Sequence, residues 1–400
     1  MVSCGLLGYH ADIMAPGEAV ELEIKKLVAG GDGLAFLDGK AVFVPFALPG
    51  ERVLATLTGG RKDYSTATLT EVLEASPHRV VPPCGVYGEC GGCDLQHLAY
   101  PRQVEEKVAI VAESFRRVAR LDPGPIGAVS SLPFAYRNRM QLHLTGDGRL
   151  GFMRRASNAI VEAHTCPIAV KSIQSWIEAR TGGARAREEL RSFIVGKDRF
   201  IAFGSGDRVW LEGRDSLIDI EVAGEPFRFH IKGFFQSNLH LLDFLVPDVM
   251  SGLEGRAGGT VADLYCGVGL FSRFLSKRFS KVVCVEHNPF ALDLARHNAP
   301  GAGNEHHALS SEDWVKSPSA HQPLDCVLVD PPRTGLSPEV KAWMGARKPP
   351  LIVYVSCDPV TLARDAGELC RAGYALDCLK VFDFYPQTHH IECHARFRLS

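Results

Sequence analysis

The chain has 400 residues, 46% of them hydrophobic and 22% charged, and a formal net charge of −2. That length calls for two or three domains, each able to bury its own core, and the composition is that of a globular protein rather than a disordered, collagen-like or membrane-embedded one. The near-neutral balance excludes a protein that coats nucleic acid through overall charge, while leaving a local basic face open.

Residues 1–16 lack a basic segment followed by an apolar core, so they read as a short extension rather than an export signal, with Met14 as an alternative start. From 18 to 74, strand-like runs at 20–24, 41–45, 52–57 and 65–72 alternate with glycine turns at 30–33 and 59–60. That rhythm predicts a small β-barrel, closed off by Pro77, Pro82 and Pro83.

Twelve cysteines are scattered through a long chain without an export signal, so metal ligation or catalysis is expected for those that cluster. Cys84, Cys90 and Cys93 form such a group in CGVYGECGGC, and Cys166 in HTCPI is the candidate distant fourth. Thiolates at this spacing can converge on an inorganic centre, and the spacing leaves tetrahedral zinc and iron–sulfur both open. Between Arg102 and Arg155 there are ten Lys or Arg against five acids, interleaved with Phe134, Tyr136 and Phe152. A charge run is often a solvated face, but rings among the charges point to unpaired bases.

From Thr260 the pattern changes to apolar strands at 261–265, 281–286, 325–330 and 351–356, alternating with helical segments at 270–279, 289–298, 338–346 and 359–372. Three of these helices open on a proline, which is tolerated in the first turn. The alternation predicts a parallel, doubly wound α/β sheet. Its longest apolar runs, such as 351–355, are far too short to span a bilayer.

In such sheets ligands bind outside the carboxyl ends of the strands, and three motifs fall there. The first, DLYCGVG at 263–269, offers Tyr265, Gly267 and Gly269 in a turn, with Glu286 twenty-three residues after Asp263 as an acid for ribose hydroxyls. Without a third glycine to cradle a pyrophosphate, the turn suits S-adenosylmethionine better than NAD. The second, Asp330-Pro331-Pro332-Arg333, ends the next strand but one. The third, Ser356-Cys357-Asp358-Pro359, sets a thiol ahead of a helix N-terminus, where a lowered pKa is expected. Further on, His389-His390-Ile391-Glu392-Cys393 offers Glu392 as a general base; its two histidines are consecutive, which does not suit a metal on one helical face.

Together these motifs resemble the uridine-5 RNA methyltransferases, in particular the branch acting on large-subunit ribosomal RNA that carries a TRAM domain and an iron–sulfur cluster. The resemblance covers nearly the whole chain from Glu18. It implies an OB-like TRAM barrel at 17–75, a central α+β domain at 76–230 for the cluster and RNA, and a Rossmann-like methyltransferase domain at 231–400. It also implies a [4Fe–4S] cluster on Cys84, Cys90, Cys93 and Cys166, and S-adenosylmethionine bound by Gln236 of FFQSN, Tyr265, the glycine turn, Glu286 and Asp330. Cys357 becomes the nucleophile that attacks uridine carbon 6 and Glu392 the base that removes the carbon 5 proton, with Cys266 a lesser rival thiol. The expected partner is RNA with its target base flipped out, without DNA or membrane, bound by a cytoplasmic monomer. Alternatives are a transfer RNA target, a cytosine-5 RNA methyltransferase, whose usual Pro-Cys pair is lacking here, and a non-catalytic iron–sulfur RNA-binding protein.

Overall fold

The computed structural model describes residues 17–145, 147–181, 199–253 and 258–400; the expected extension 1–16, with Met14, lies outside them. The chain divides into two compact units, Met1–Val81 with His97–Ala99, and Pro82–Gln96 with Tyr100–Ser400. Among the described residues no helix is long and apolar enough to cross a membrane.

The smaller unit holds β1 (Ala19–Glu23), β2 (Lys26–Leu27), β3 (Gly33–Leu37), β4 (Lys40–Val44), β5 (Arg52–Arg61) and β6 (Tyr64–Glu74) in one sheet of order β1-β5-β6-β4-β3-β2. Alternate residues Leu22, Val42, Val44, Val53, Ala55 and Leu57 turn inward to a single core, as the period of two requires. Strands β2 and β3 were not among the sequence expectations, because the glycine turn ends on the first residue of β3. Gly33 is needed there: a Cβ would lie 2.7 Å from the Ala47 carbonyl oxygen. Glu51 pins the unit from within. Burial works to raise its pKa, but hydrogen bonds from Arg79 and from the Leu48 and Ser76 amides outweigh it and hold the carboxylate ionised.

Among the described residues, the larger unit contains three sheets. Strands β8 (Arg139–Leu144), β9 (Leu150–Met153), β10 (Ile160–Glu162), β11 (Arg199–Ser205) and β12 (Arg208–Leu211) form an antiparallel sheet of order β10-β9-β8-β11-β12, and β13 (Leu217–Val222) pairs with β14 (Glu225–His230) as a hairpin. The third sheet has order β17-β16-β15-β18-β19-β21-β20-β7, built from β15 (Thr260–Leu264), β16 (Lys281–Val285), β17 (Glu305–His307), β18 (Cys326–Val329), β19 (Leu351–Ser356), β20 (Tyr374–Phe382), β21 (Glu392–Leu399) and β7 (Gly127–Val129). Five strands from β17 to β19 run parallel, while β21 is antiparallel to both neighbours. β7, from the segment expected to belong to the central domain, forms the edge of this sheet.

The proline-opened helices form at Pro289–Asn298, Pro338–Arg347 and Pro359–Arg371, capped by Asn288, Ser337 and Asp358. Each cap side chain accepts from backbone amides of the first turn, which satisfies donors that the helix cannot. The expected helix over 270–279 is shorter, Leu270–Leu275. A helix the sequence reading did not name, Leu239–Ser251, carries Pro247 in its interior and buries Leu241, Leu242, Leu245 and Val249.

Candidate active site

The sheet reverses its winding between β15 and β18, which are hydrogen-bonded neighbours although two strands separate them in sequence. A crevice opens at such a switch point because the connections leave to opposite sides. The cavity there has a volume of about 1430 Å³, and Gln236, Tyr265, Gly267, Glu286, Asp330, Cys357 and Glu392 all line it. Small-molecule sites usually occupy roughly 300–1,000 Å³. The space therefore suits a cofactor together with a second ligand. Gly269 is not in the cavity wall. It takes φ 84° ahead of Leu270–Leu275, and a Cβ on it would come within 3.1 Å of Ala295, so its part is to form the turn and pack the helices.

The turn after β15 is held open by backbone geometry. Tyr265 adopts φ 64° and Gly267 φ 55°, left-handed conformations that cost a non-glycine residue energy and that cluster at functional sites. Glu286 fixes the turn from β16: one carboxylate oxygen accepts the Gly267 amide at 3.1 Å and the other the Asn288 amide at 2.8 Å. Gln236 lines the same cavity, almost fully buried, and its Oε1 has no hydrogen-bond partner. Its loop is pinned by Asn238, which caps Leu239–Ser251 and donates to the Phe384 carbonyl at 3.1 Å. An orphaned acceptor for an ammonium, an acid for hydroxyls and an open glycine turn in one cavity fit S-adenosylmethionine.

Cys357 follows the last residue of β19. Asp358 takes the Val360 and Thr361 amides at 2.9 and 2.8 Å, so the helix N-terminal donors are spent on the cap rather than on the thiol. The expected lowering of the Cys357 pKa does not occur. Burial, then the charges of Glu392 and Asp330, push it up to about 12, with Arg333 pulling the other way. Glu392, the first residue of β21, is buried, and burial with the Asp330 charge raises its pKa well above 4.5 against the pull of Arg333. Burial pushes Asp330 itself up to about 7. A thiol and two carboxyls thus share one cavity with the guanidinium of the exposed Arg333. Cys266 also lines the cavity, but its contact with Cys284 and its burial hold the thiol protonated.

The reacting end has walls that the sequence reading did not assign. Tyr385, His390, Arg333 and the exposed Phe234 line the same cavity. The His390 ring stands edge-on to Tyr385 with centroids 5.6 Å apart, and its Nδ1 lies 3.4 Å from the Arg333 guanidinium. Burial, His389 and Arg333 lower its pKa to about 4, so the ring is neutral. Phe234, Arg333 and His390 lie inside motifs already singled out, FFQSN, DPPR and HHIEC, without having been given a role; Tyr385 carried no comparable signal. Within the basic stretch between Arg102 and Arg155, Arg137 lines the cavity, whereas Arg139 does not and its Nε is buried without a partner.

The four expected cluster cysteines are all free thiols of the larger unit. Cys93 and Cys166 share an apolar pocket with Tyr136, Ile168 and Tyr87. Burial pushes Cys93 up to about 12 and Cys166 to about 11, with charges on the other cluster thiols adding to each. Among the described residues no three His, Cys, Asp or Glu converge closely enough to hold a single metal ion. Each thiol's charge opposes the ionisation of the others, and positive charge near them favours the thiolates, as Arg137 and Arg155 do for Cys90.

Residues 320–398 match the family model for tRNA (Uracil-5-)-methyltransferase, 243–343 the methyltransferase small domain and 15–70 the TRAM domain. The chain is 33% identical to a 23S rRNA (uracil(1939)-C(5))-methyltransferase of Shewanella amazonensis, covering 96% of each chain. It is 32% identical to the protein of that name in Pseudomonas aeruginosa, over 98% of this chain and 96% of the other. Among solved structures, the Pyrococcus abyssi tRNA (uracil-54, C5)-methyltransferase in complex with S-adenosyl-L-homocysteine superposes with a TM-score of 0.73 at 26% identity, covering 94% of this chain and all of that one.

Proposed function

The chain belongs to the RNA uracil-5 methyltransferase family, and on that premise we propose that it methylates carbon 5 of a uridine in large-subunit ribosomal RNA in the cytoplasm, with Cys357 as nucleophile and Glu392 as base. The observation that carries this reading is the convergence of the Cys357 thiol and the Glu392 carboxyl in one cavity with Gln236, Tyr265, Gly267, Glu286 and Asp330. The ribosomal target is supported by the names of the relatives that match end to end.

Uracil carbon 5 is a poor nucleophile until sulfur adds to carbon 6. Cys357 forms that bond as its proton leaves to water, and the ring electrons shift toward O4 as an enolate. Arg333 favours the ionised thiol and the enolate alike by its charge. S-adenosylmethionine, when bound, supplies the methyl group from its sulfonium; Gln236 would hold its ammonium and Glu286 its ribose. Carbon 5 then carries both a methyl and a hydrogen. Glu392 takes the hydrogen as a proton, the electrons of that bond restore the ring double bond, and the Cys357 sulfur is expelled. A carboxyl whose pKa is raised by burial is a stronger base for this step than an exposed one.

Cys84, Cys90, Cys93 and Cys166 are further proposed to hold a [4Fe–4S] cluster, which would supply the positive charge their joint ionisation needs and anchor their loop, outside the methyl-transfer steps. A transfer RNA uridine is the second reading, favoured by the likeness to the Pyrococcus abyssi structure.

Two measurements test the proposal. Mapping 5-methyluridine in RNA from a deletion strain should show a site lost from large-subunit ribosomal RNA; loss from transfer RNA instead would replace the target. Denaturing gels with radiolabelled cofactor should show a labelled protein–RNA band for Glu392→Gln, where elimination stalls, and none for Cys357→Ala. Normal turnover by Cys357→Ala would mean the wrong nucleophile.

A further inference from the structure

The segment between β20 and β21 carries Tyr385 and His390 into the cavity and leads directly to Glu392. No strand ladder holds it. Side chains do: Lys107 donates to the Tyr385 carbonyl at 3.0 Å, Tyr136 to the Pro386 carbonyl at 2.9 Å, and Gln103 exchanges two hydrogen bonds of 2.9 Å with Gln387. These pins act up to Gln387. Past Thr388 the clamp comes from the cysteine-rich loop.

That loop is joined to the segment through Asp94, the residue after Cys93. The Asp94 and Leu95 amides both donate to the Gln387 carbonyl at 2.9 Å. One Asp94 carboxylate oxygen meets His389 Nδ1 at 2.6 Å, and the other accepts from Arg155. Tyr87 fixes the Asp94 carbonyl at 2.6 Å. The His389 ring in turn packs tilted on His390, centroids 4.2 Å apart, and His390 touches Tyr385 and Arg333. Neither Asp94 nor His389 lines the cavity.

We propose that Asp94 and His389 are positioning residues for methyl transfer: their hydrogen bond buttresses His390 and so sets the wall of Tyr385, His390 and Arg333 against which the uracil ring meets Cys357 and Glu392. The inference rests on the methyltransferase reading above. It requires a clamp that can be broken without unfolding the site: the Asp94 and His389 side chains are partly exposed, and their contact is distinct from the pins on 384–387, of which Asp94 supplies one through its backbone amide, unaffected by a side-chain change. Displacing reacting groups by an ångström costs up to about 100-fold in rate, so loss of a buttress one ring away is expected to cost roughly tenfold.

The test uses full-length protein and four variants: Asp94→Asn, His389→Ala, the double variant, and His389→Asn, whose amide nitrogen can stand where Nδ1 does. Measured for each are kcat and KM for RNA, cofactor affinity, iron content, and amide hydrogen exchange across 385–391 and 263–269. The expected result is a fall in kcat of about tenfold in each single variant and no further fall in the double, since both remove one interaction. His389→Asn should recover to within about threefold of wild type. Exchange should quicken at 389–391 and stay unchanged at 263–269, with KM, cofactor affinity and iron unchanged. Unchanged kcat, multiplicative losses, or unaltered exchange at 389–391 would overturn the proposal while wild-type methylation leaves the functional reading standing. If Asp94→Asn loses iron, His389→Ala decides alone, because it leaves the cysteine loop intact. A wild-type protein that makes no 5-methyluridine would overturn both.

Discussion

Glu392 is buried beside Asp330, and the Asp330 charge adds to burial in raising the Glu392 pKa well above its ordinary 4.5. A carboxyl that binds its proton more tightly folded than unfolded gives stability that is complete below the unfolded pKa and is lost as pH rises through the folded one. Wild type should therefore lose stability relative to Glu392→Gln as pH climbs from about 4.5. The stability of the variant relative to wild type should be greater at pH 8 than at pH 4. Thermal melts of both proteins in matched buffers check this; a difference that does not vary with pH would mean that the carboxyl is not shifted.

The Cys357 thiol is pushed up to about 12 with Arg333 opposing the shift. Covalent adduct formation with RNA should accordingly climb from pH 6 to pH 9 without the plateau near 7 that a thiol activated by a helix N-terminus would give. Arg333→Ala should move the whole curve to higher pH. Quenched-flow trapping of the adduct at fixed RNA concentration measures both curves.

Arg137 and Arg139 should part company. Arg137 lines the cavity, and Arg137→Ala should weaken RNA binding and reduce the salt slope by about 0.7, the value for one single-stranded phosphate contact. Arg139 is largely buried and its pKa is lowered by burial and by Arg137, so Arg139→Ala should act on stability more than on salt dependence. Binding titrations at three salt concentrations, with melting temperatures, separate the two.

Protein purified without oxygen should carry about four iron and four sulfide per chain. Cys93→Ser should abolish both while cofactor binding in the Gln236 cavity persists. Iron and sulfide analysis with cofactor titration checks this, and stoichiometric zinc without sulfide would overturn the cluster.

Much of the doubly wound sheet was legible in the chain because strands buried on both faces must be continuous apolar runs, as at Val261, Val282, Val327 and Ile352, all fully buried. The helices beside them announced themselves through Pro289, Pro338 and Pro359 behind a capping residue. The helix Leu239–Ser251 did not, because an interior Pro247 breaks the pattern that identifies a helix.

The sequence by itself determined which residues could carry chemistry: a thiol and acids at strand ends and a glycine turn, whose positions follow from local rules of chain geometry. The tertiary structure alone decided how those groups behave. The pKa of Cys357 depends on burial and on carboxyls 27 and 35 positions away in the chain, at Asp330 and Glu392, so its local helix N-terminus misled the reading. The contact of Asp94 with His389 spans 295 residues, and no periodicity or spacing encodes it, because hydrogen bonds at that separation exist only once the sheet has brought the two loops together.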